Sequence, residues 1–148
     1  MRALLQRTSE ASVRFGDEVI ASIGPGLVIL LGVSHDDEPS IADALARRVT
    51  ELRIFRDAEG RTNLSLTDVR GEVLVVSQFT LFADTSRGRR PGFTDAAPPE
   101  QAERLYERFV AALREHDVRV ETGRFGAEMA VSLVNDGPFT IWLDTEAR

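Results

Sequence analysis

The sequence predicts a single compact α+β domain spanning residues 1–148. Three observations carry that expectation. The first third is built of short apolar segments cut by Gly and Pro, two later stretches repeat apolar residues at helical spacing, and no linker, repeat or low-complexity run separates them. A chain of 148 residues is long enough to bury one core and too short to divide into two.

The elements follow in order. Ala3–Arg7 and Ser12–Phe15 read as short strands, Gly16-Asp17 as a turn, and Glu18–Ile23 as the next strand. Gly24-Pro25-Gly26 then punctuates before Leu27–Leu31, an apolar run without alternation and so a central strand covered on both faces. A helix follows Pro39, with Ile41, Leu45, Val49 and Leu52 on one face. Arg53–Arg56 is a short strand, Asp57–Gly60 a turn, and Glu72–Gln78 a longer strand. Residues 83–97 have little periodicity and much turn chemistry, and read as a long functional or mobile loop. A second main helix opens at Pro98-Pro99 with the stripe Ala102, Leu105, Tyr106, Phe109 and Leu113. Met129–Val134 and Phe139–Leu143 complete the strands, with a turn at Asn135–Pro138 between them.

Composition removes several kinds of chemistry. Without cysteine there is no disulfide, thiolate or Cys-ligated zinc, and neither metal nor cofactor is expected. The two histidines, His35 and His116, sit far apart among charged residues, which fits solvated loops better than a Ser-His-Asp triad. No apolar run reaches the roughly 20 residues of a membrane span, and Arg7 comes too early for a signal peptide, so a cytoplasmic location is expected. A net charge of −6 argues against indiscriminate binding to DNA or RNA, but not against gripping one RNA end.

Three places depart from core and turn. Ser77-Gln78-Phe79-Thr80 ends an apolar strand, where freed N–H groups can form an oxyanion hole; the plainer reading is a strand terminus. Asn135–Thr140 contains Gly137-Pro138, the cheapest kind of step for a cis peptide; the plainer reading is an ordinary turn. Arg87-Gly88-Arg89-Arg90 is a basic patch in an acidic chain, suited to phosphate or merely solvated.

Together these segments resemble the D-aminoacyl-tRNA deacylase family almost end to end. The likeness includes Ala3–Arg7, Arg53-Ile54-Phe55, Val73–Leu81, Thr122–Phe125 and Val131–Pro138; the Ser-Gln-Phe-Thr and Asn-X-Gly-Pro-X-Thr motifs are its two signatures. Pro25 is a minor departure from the family pattern. The resemblance implies a mixed or antiparallel, barrel-like sheet flanked by two main helices. It implies a homodimer acting on the aminoacylated 3′ end of tRNA, with neither membrane nor DNA as a partner. Ser77, Gln78, Phe79 and Thr80 would then carry the catalytic strip, while Phe125 and Met129 would wall the terminal adenosine. Gly137 and Pro138, oriented by Arg7, would enter the partner's pocket in the cis form and reject L-residues but not glycine. Water or the ribose hydroxyl would attack the ester; a Thr80 nucleophile ranks second, as no His or Lys is positioned to activate it. The rival implication is a non-catalytic RNA-binding module on the same fold.

Overall fold

The computed structural model describes residues 1–146. Strand β1 (Arg2–Phe15) is its spine. Residues 2–8 of β1 pair antiparallel with β3 (Gly26–Gly32) and residues 11–15 with β2 (Glu18–Ile23), while β8 (Ala130–Asp144) runs along the opposite edge of β1. Parallel pairing of β3 with β6 (Glu72–Ser77), and of β6 with β7 (Val120–Thr122), makes the sheet mixed. The sheet curls until β2 meets β6 and β7, which gives the barrel-like shape.

That curl explains why Leu27–Leu31 does not alternate. Leu27, Ile29 and Leu31 join Val73 and Val75 in the core beneath the helices, while Val28 joins Leu74, Val76, Val13 and Ile23 inside the curl. Helices α1 (Pro39–Glu51) and α3 (Pro99–Glu115) pack on each other and cover the first of these cores. Leu45 and Val49 meet it from α1, and Leu105, Phe109 and Leu113 from α3. Phe109 is fully buried, so truncation to alanine would cost about 3–5 kcal/mol. Leu52 falls just beyond α1 and caps it, so the helical stripe extends one residue past the helix.

The first two expected strands are one. Thr8, Ser9 and Glu10 look like a break in the sequence, yet β1 continues through them because β8 pairs with Thr8 and Glu10 across irregular register. The expected division of the C-terminal strand fails for the same reason. β8 is continuous, and its middle bulges: Asn135 faces Thr8 and Thr140 faces Gln6, leaving four residues of β8 opposite Arg7 alone. Two small elements join the others. β4 (Arg53–Arg56) and β5 (Thr62–Ser65) form a hairpin, and α2 (Leu66–Val69) is set by a capping box between Ser65 and Asp68. Among the described residues no helix is long and apolar enough to cross a membrane.

Candidate active site

The last rung of β6 is closed by Gln78 N–H donating to Leu31 O at 2.8 Å, after which the chain turns into a 3₁₀ segment, Phe79–Phe82. The first N–H groups of such a turn have no intrahelical acceptor. Leu81 N–H is the first to fold back, onto Gln78 O, and no backbone bond is made by the N–H of Phe79 or Thr80 among the described residues. Two donors therefore emerge where a buried strand ends.

They stand beside a cleft of about 620 Å³. Ser77, Gln78 and Phe79 line it on one side, Phe125 and Met129 on another, and Val131 from the start of β8 reaches its margin. Met129 is drawn in by its sulfur, which accepts Arg124 N–H at 3.2 Å, and by Gly123, where a Cβ would lie 2.9 Å from that sulfur. Phe125 leans on Tyr106 with ring centroids 5.9 Å apart. Burial pushes the Tyr106 hydroxyl up to about 12, and the hydroxyl donates to Val75 O at 3.0 Å. Thr80 is exposed beside this cleft rather than in its lining, and its Oγ1 accepts from the Gln78 side-chain amide. Among the described residues no imidazole or carboxylate is bonded to that hydroxyl. His35 is occupied by Thr94 O at 2.7 Å.

Gly137 and Pro138 lie elsewhere. Their peptide bond is cis, both residues are exposed, and neither lines the cleft. The bulge that carries them is tied by side chains. Asn135 Oδ1 accepts Phe139 N–H and Asn135 Nδ2 donates to Thr140 Oγ1, both at 3.0 Å, which accounts for the two polar ends of the Asn-X-Gly-Pro-X-Thr motif. Arg7 supports the bulge from beneath. It is 4% exposed, donates from Nε to Asp136 O at 3.0 Å and from Nη1 to Ile54 O at 2.8 Å, and stacks 4.5 Å from the Phe139 ring centroid. A buried guanidinium needs a counter-charge. Asp136 supplies it, with Oδ2 3.7 Å from Arg7 Nε and 2.8 Å from Arg56 Nη1. Burial lowers the pKa of Arg7, and Arg56 adds to that effect while Asp136 opposes it. The hydrogen bond from Arg56, seconded by the charges of Arg56 and Arg7, holds the Asp136 carboxyl below its ordinary value despite partial desolvation.

The fold thus gathers Ser77, Gln78, Phe79, Phe125 and Met129 around one cleft with Thr80 at its side, and gathers Arg7, Gly137 and Pro138 in a separate place. Sequence reasoning missed Phe93 and Ala102, which also line the cleft, and the Arg56–Asp136 pair. Phe93 was visible as the one large apolar residue in residues 84–95. Nothing local in the sequence links Arg56 to a residue 80 positions away. Among the described residues no group of three or more His, Asp or Glu is arranged to hold a metal.

Among known proteins, the family described as D-Tyr-tRNA(Tyr) deacylase matches residues 4–144. A protein of Dinoroseobacter shibae named D-aminoacyl-tRNA deacylase is 65% identical, the match covering 97% of this chain and 99% of that one. A Klebsiella pneumoniae protein of the same name is 57% identical, with 97% and 99% covered. Among solved structures, one named c-Myc DNA Unwinding Element Binding Protein superimposes with a TM-score of 0.93 at 40% identity, covering 99% of this chain and 100% of that chain. A probable eukaryotic D-amino acid tRNA deacylase shares the fold, with a TM-score of 0.80 at 20% identity and coverage of 96% and 97%.

Proposed function

The chain belongs to the D-Tyr-tRNA(Tyr) deacylase family, and from that premise we propose that it hydrolyses the ester joining a D-amino acid to the 3′ end of tRNA. The observation that carries this reading is the cleft floor. Two free N–H groups stand beside an aromatic and thioether wall, which suits an acyl carbonyl attached to a nucleoside. Water, assisted by the neighbouring ribose hydroxyl, adds to the ester carbonyl. The resulting oxyanion is held by the N–H groups of Phe79 and Thr80, the C–O bond to the ribose breaks, and the ribose oxygen leaves with a proton. The products are the free amino acid and the tRNA. Among the described residues Thr80 Oγ1 is bonded to an amide and to no base that would make it a nucleophile.

Chirality is read by Gly137 and Pro138 of a second copy. The separation of these residues from the cleft within one chain supports that arrangement, as does the outer edge of β8, which pairs with nothing else among the described residues. Val131, Val134 and Trp142 are exposed along β8, and Val131 borders the cleft, so a copy docked there would reach the cleft mouth. The two carbonyls then accept hydrogen bonds from the α-amino group of a D-residue, and an L-residue would drive its side chain into them. Glycine has no side chain to exclude and is hydrolysed too.

The second reading is a nucleic-acid-binding protein without catalysis, and the DNA-binding role in the name of the 40% identical structure favours it. Release of amino acid from D-Tyr-tRNA, glycyl-tRNA and L-Tyr-tRNA separates the two. The first pair should be cleaved and the last at least about 100-fold more slowly. Equal D and L rates, or no release from any, would overturn the deacylase reading.

A further inference from the structure

The segment between the cleft floor and α3 is a built arm. Asp84 and Gly92 exchange both backbone hydrogen bonds, N–H to O at 2.7 and 2.9 Å, and close residues 85–91 into a hairpin. Ser86 caps Asp84 through its N–H at 2.9 Å and its hydroxyl at 2.6 Å, and Gly88 takes the tip with φ +68. The Gly92 foot of the hairpin stands at the cleft, and the Asp84 foot stands next to the 3₁₀ turn that leaves it. Ala83 follows the 3₁₀ turn directly, and Gly92 precedes Phe93, which lines the cleft and meets Phe79 edge-on at 5.0 Å between centroids. Arg90 is three residues from Phe93, so its Cα lies within about 10 Å of that wall.

The tip carries Arg87, Arg89 and Arg90, all exposed. In a chain with 24 acidic residues against 18 basic ones, carboxylate partners are plentiful. Arg47, Arg56, Arg61, Arg108 and Arg119 each have one within 4.0 Å; several arginines elsewhere have none, but among the described residues only this tip places three such arginines within four residues. The nearest acid in sequence, Asp84, has one carboxylate oxygen engaged by Ser86. Three like charges held together without a counter-ion cost free energy through mutual repulsion, and a line of phosphates removes that cost.

We propose that this hairpin is a phosphodiester-binding arm that grips the single-stranded 3′ end of the tRNA as its terminal nucleoside enters the cleft. The identity of the RNA rests on the deacylase reading; the arm itself rests on the hairpin, its unpaired charges and its footing at the cleft.

The test compares the wild-type chain with the R87Q/R89Q/R90Q variant in two assays. In the first, the affinity for uncharged tRNA is measured across a salt series. The variant should bind about tenfold more weakly, and its log–log salt slope should shrink by about 2, three contacts at roughly 0.7 each. Trimming the 3′ single strand from the tRNA should erase the difference between the two proteins. In the second, D-tyrosyl-adenosine, which has no phosphate, should be cleaved equally by both, while D-Tyr-tRNA is cleaved with a raised KM by the variant. An unchanged salt slope, a difference that survives trimming, equal binding of unrelated duplex DNA and tRNA, or an equal loss on both substrates would overturn the arm. Absence of cleavage by the wild-type chain, with the binding difference intact, would sink the deacylase reading and leave the arm standing.

Discussion

The floor after β6 and the bulge in β8 contribute to one proposed site but are held by opposite means. The floor is a consequence of main-chain geometry: a buried strand ends, a 3₁₀ turn begins, and two N–H groups are left over. The bulge is held by particular side chains, namely the Asn135–Thr140 bond, the buried Arg7, and the Asp136 charge shared with Arg56. A feature set by backbone tolerates changes of side chain, whereas one set by four or five side chains does not. Single substitutions that add no charge should therefore hurt the bulge far more than the floor.

The largest effect is expected at Gly137. Its φ of +140 is unsuited to a side chain, and a Cβ would lie 3.0 Å from both the Arg7 guanidinium and Phe139 N. Gly137→Ala should lower kcat/KM on D-Tyr-tRNA by at least about 100-fold while far-ultraviolet circular dichroism stays native. Full activity would show that the bulge does not face substrate.

Asp136→Asn comes next. It keeps the shape but removes the counter-charge, and kcat/KM should drop about three- to tenfold with a smaller D-over-L ratio. Since the native carboxyl is held below its ordinary value of 3.8, its contribution to stability is present above that pH and lost as pH falls through the lower folded value. Acid unfolding curves should show that component in the wild type and not in the variant. Identical curves would mean that the pair with Arg56 contributes nothing.

At the floor, Thr80→Ala should cost less than about tenfold, against the roughly million-fold loss seen when a covalent nucleophile is removed. Near-complete inactivation of a folded Thr80→Ala protein would restore a threonine mechanism and weaken the contrast. The smallest effect belongs to Tyr106→Phe, which deletes the bond to Val75 O and should cost about 1 kcal/mol with little change in rate. Tyr106 titrates near 12 rather than 10.0, so its stabilisation is present below pH 10 and disappears as pH rises toward 12. Thermal melts of the phenylalanine variant should lack that alkaline decline.

What could be read in the sequence follows the same division. Leu27–Leu31, the Pro39 and Pro99 helix starts and the Glu18–Ile23 strand were legible because their signals are local. The continuity of β1 through Thr8–Glu10 was not, because the partner that holds it straightens it from more than 120 residues away. Asp37 was hidden for the same reason. It stands in the charged run His35–Glu38, yet it is buried because the Met1 ammonium lies 2.7 Å from its carboxylate. At the site, the strand end at Ser77 was readable from hydrophobicity alone. The assignment of Gly137, Pro138 and Arg7 came only through the family motifs, since a bulge opposite Arg7 depends on the pairing of chain ends.

The most direct measurement mixes two impaired proteins. Gly137→Ala keeps an intact floor, and a floor variant such as Phe79→Asp, with a carboxylate placed in the cleft, keeps an intact bulge. If each cleft is completed by the other chain, unfolding and refolding the two together should restore D-Tyr-tRNA hydrolysis to about a quarter of the wild-type rate, from mixed dimers holding one sound cleft each. A mixture no more active than its separate components, with mixed dimers demonstrably formed, would contradict a site shared between two copies of this chain.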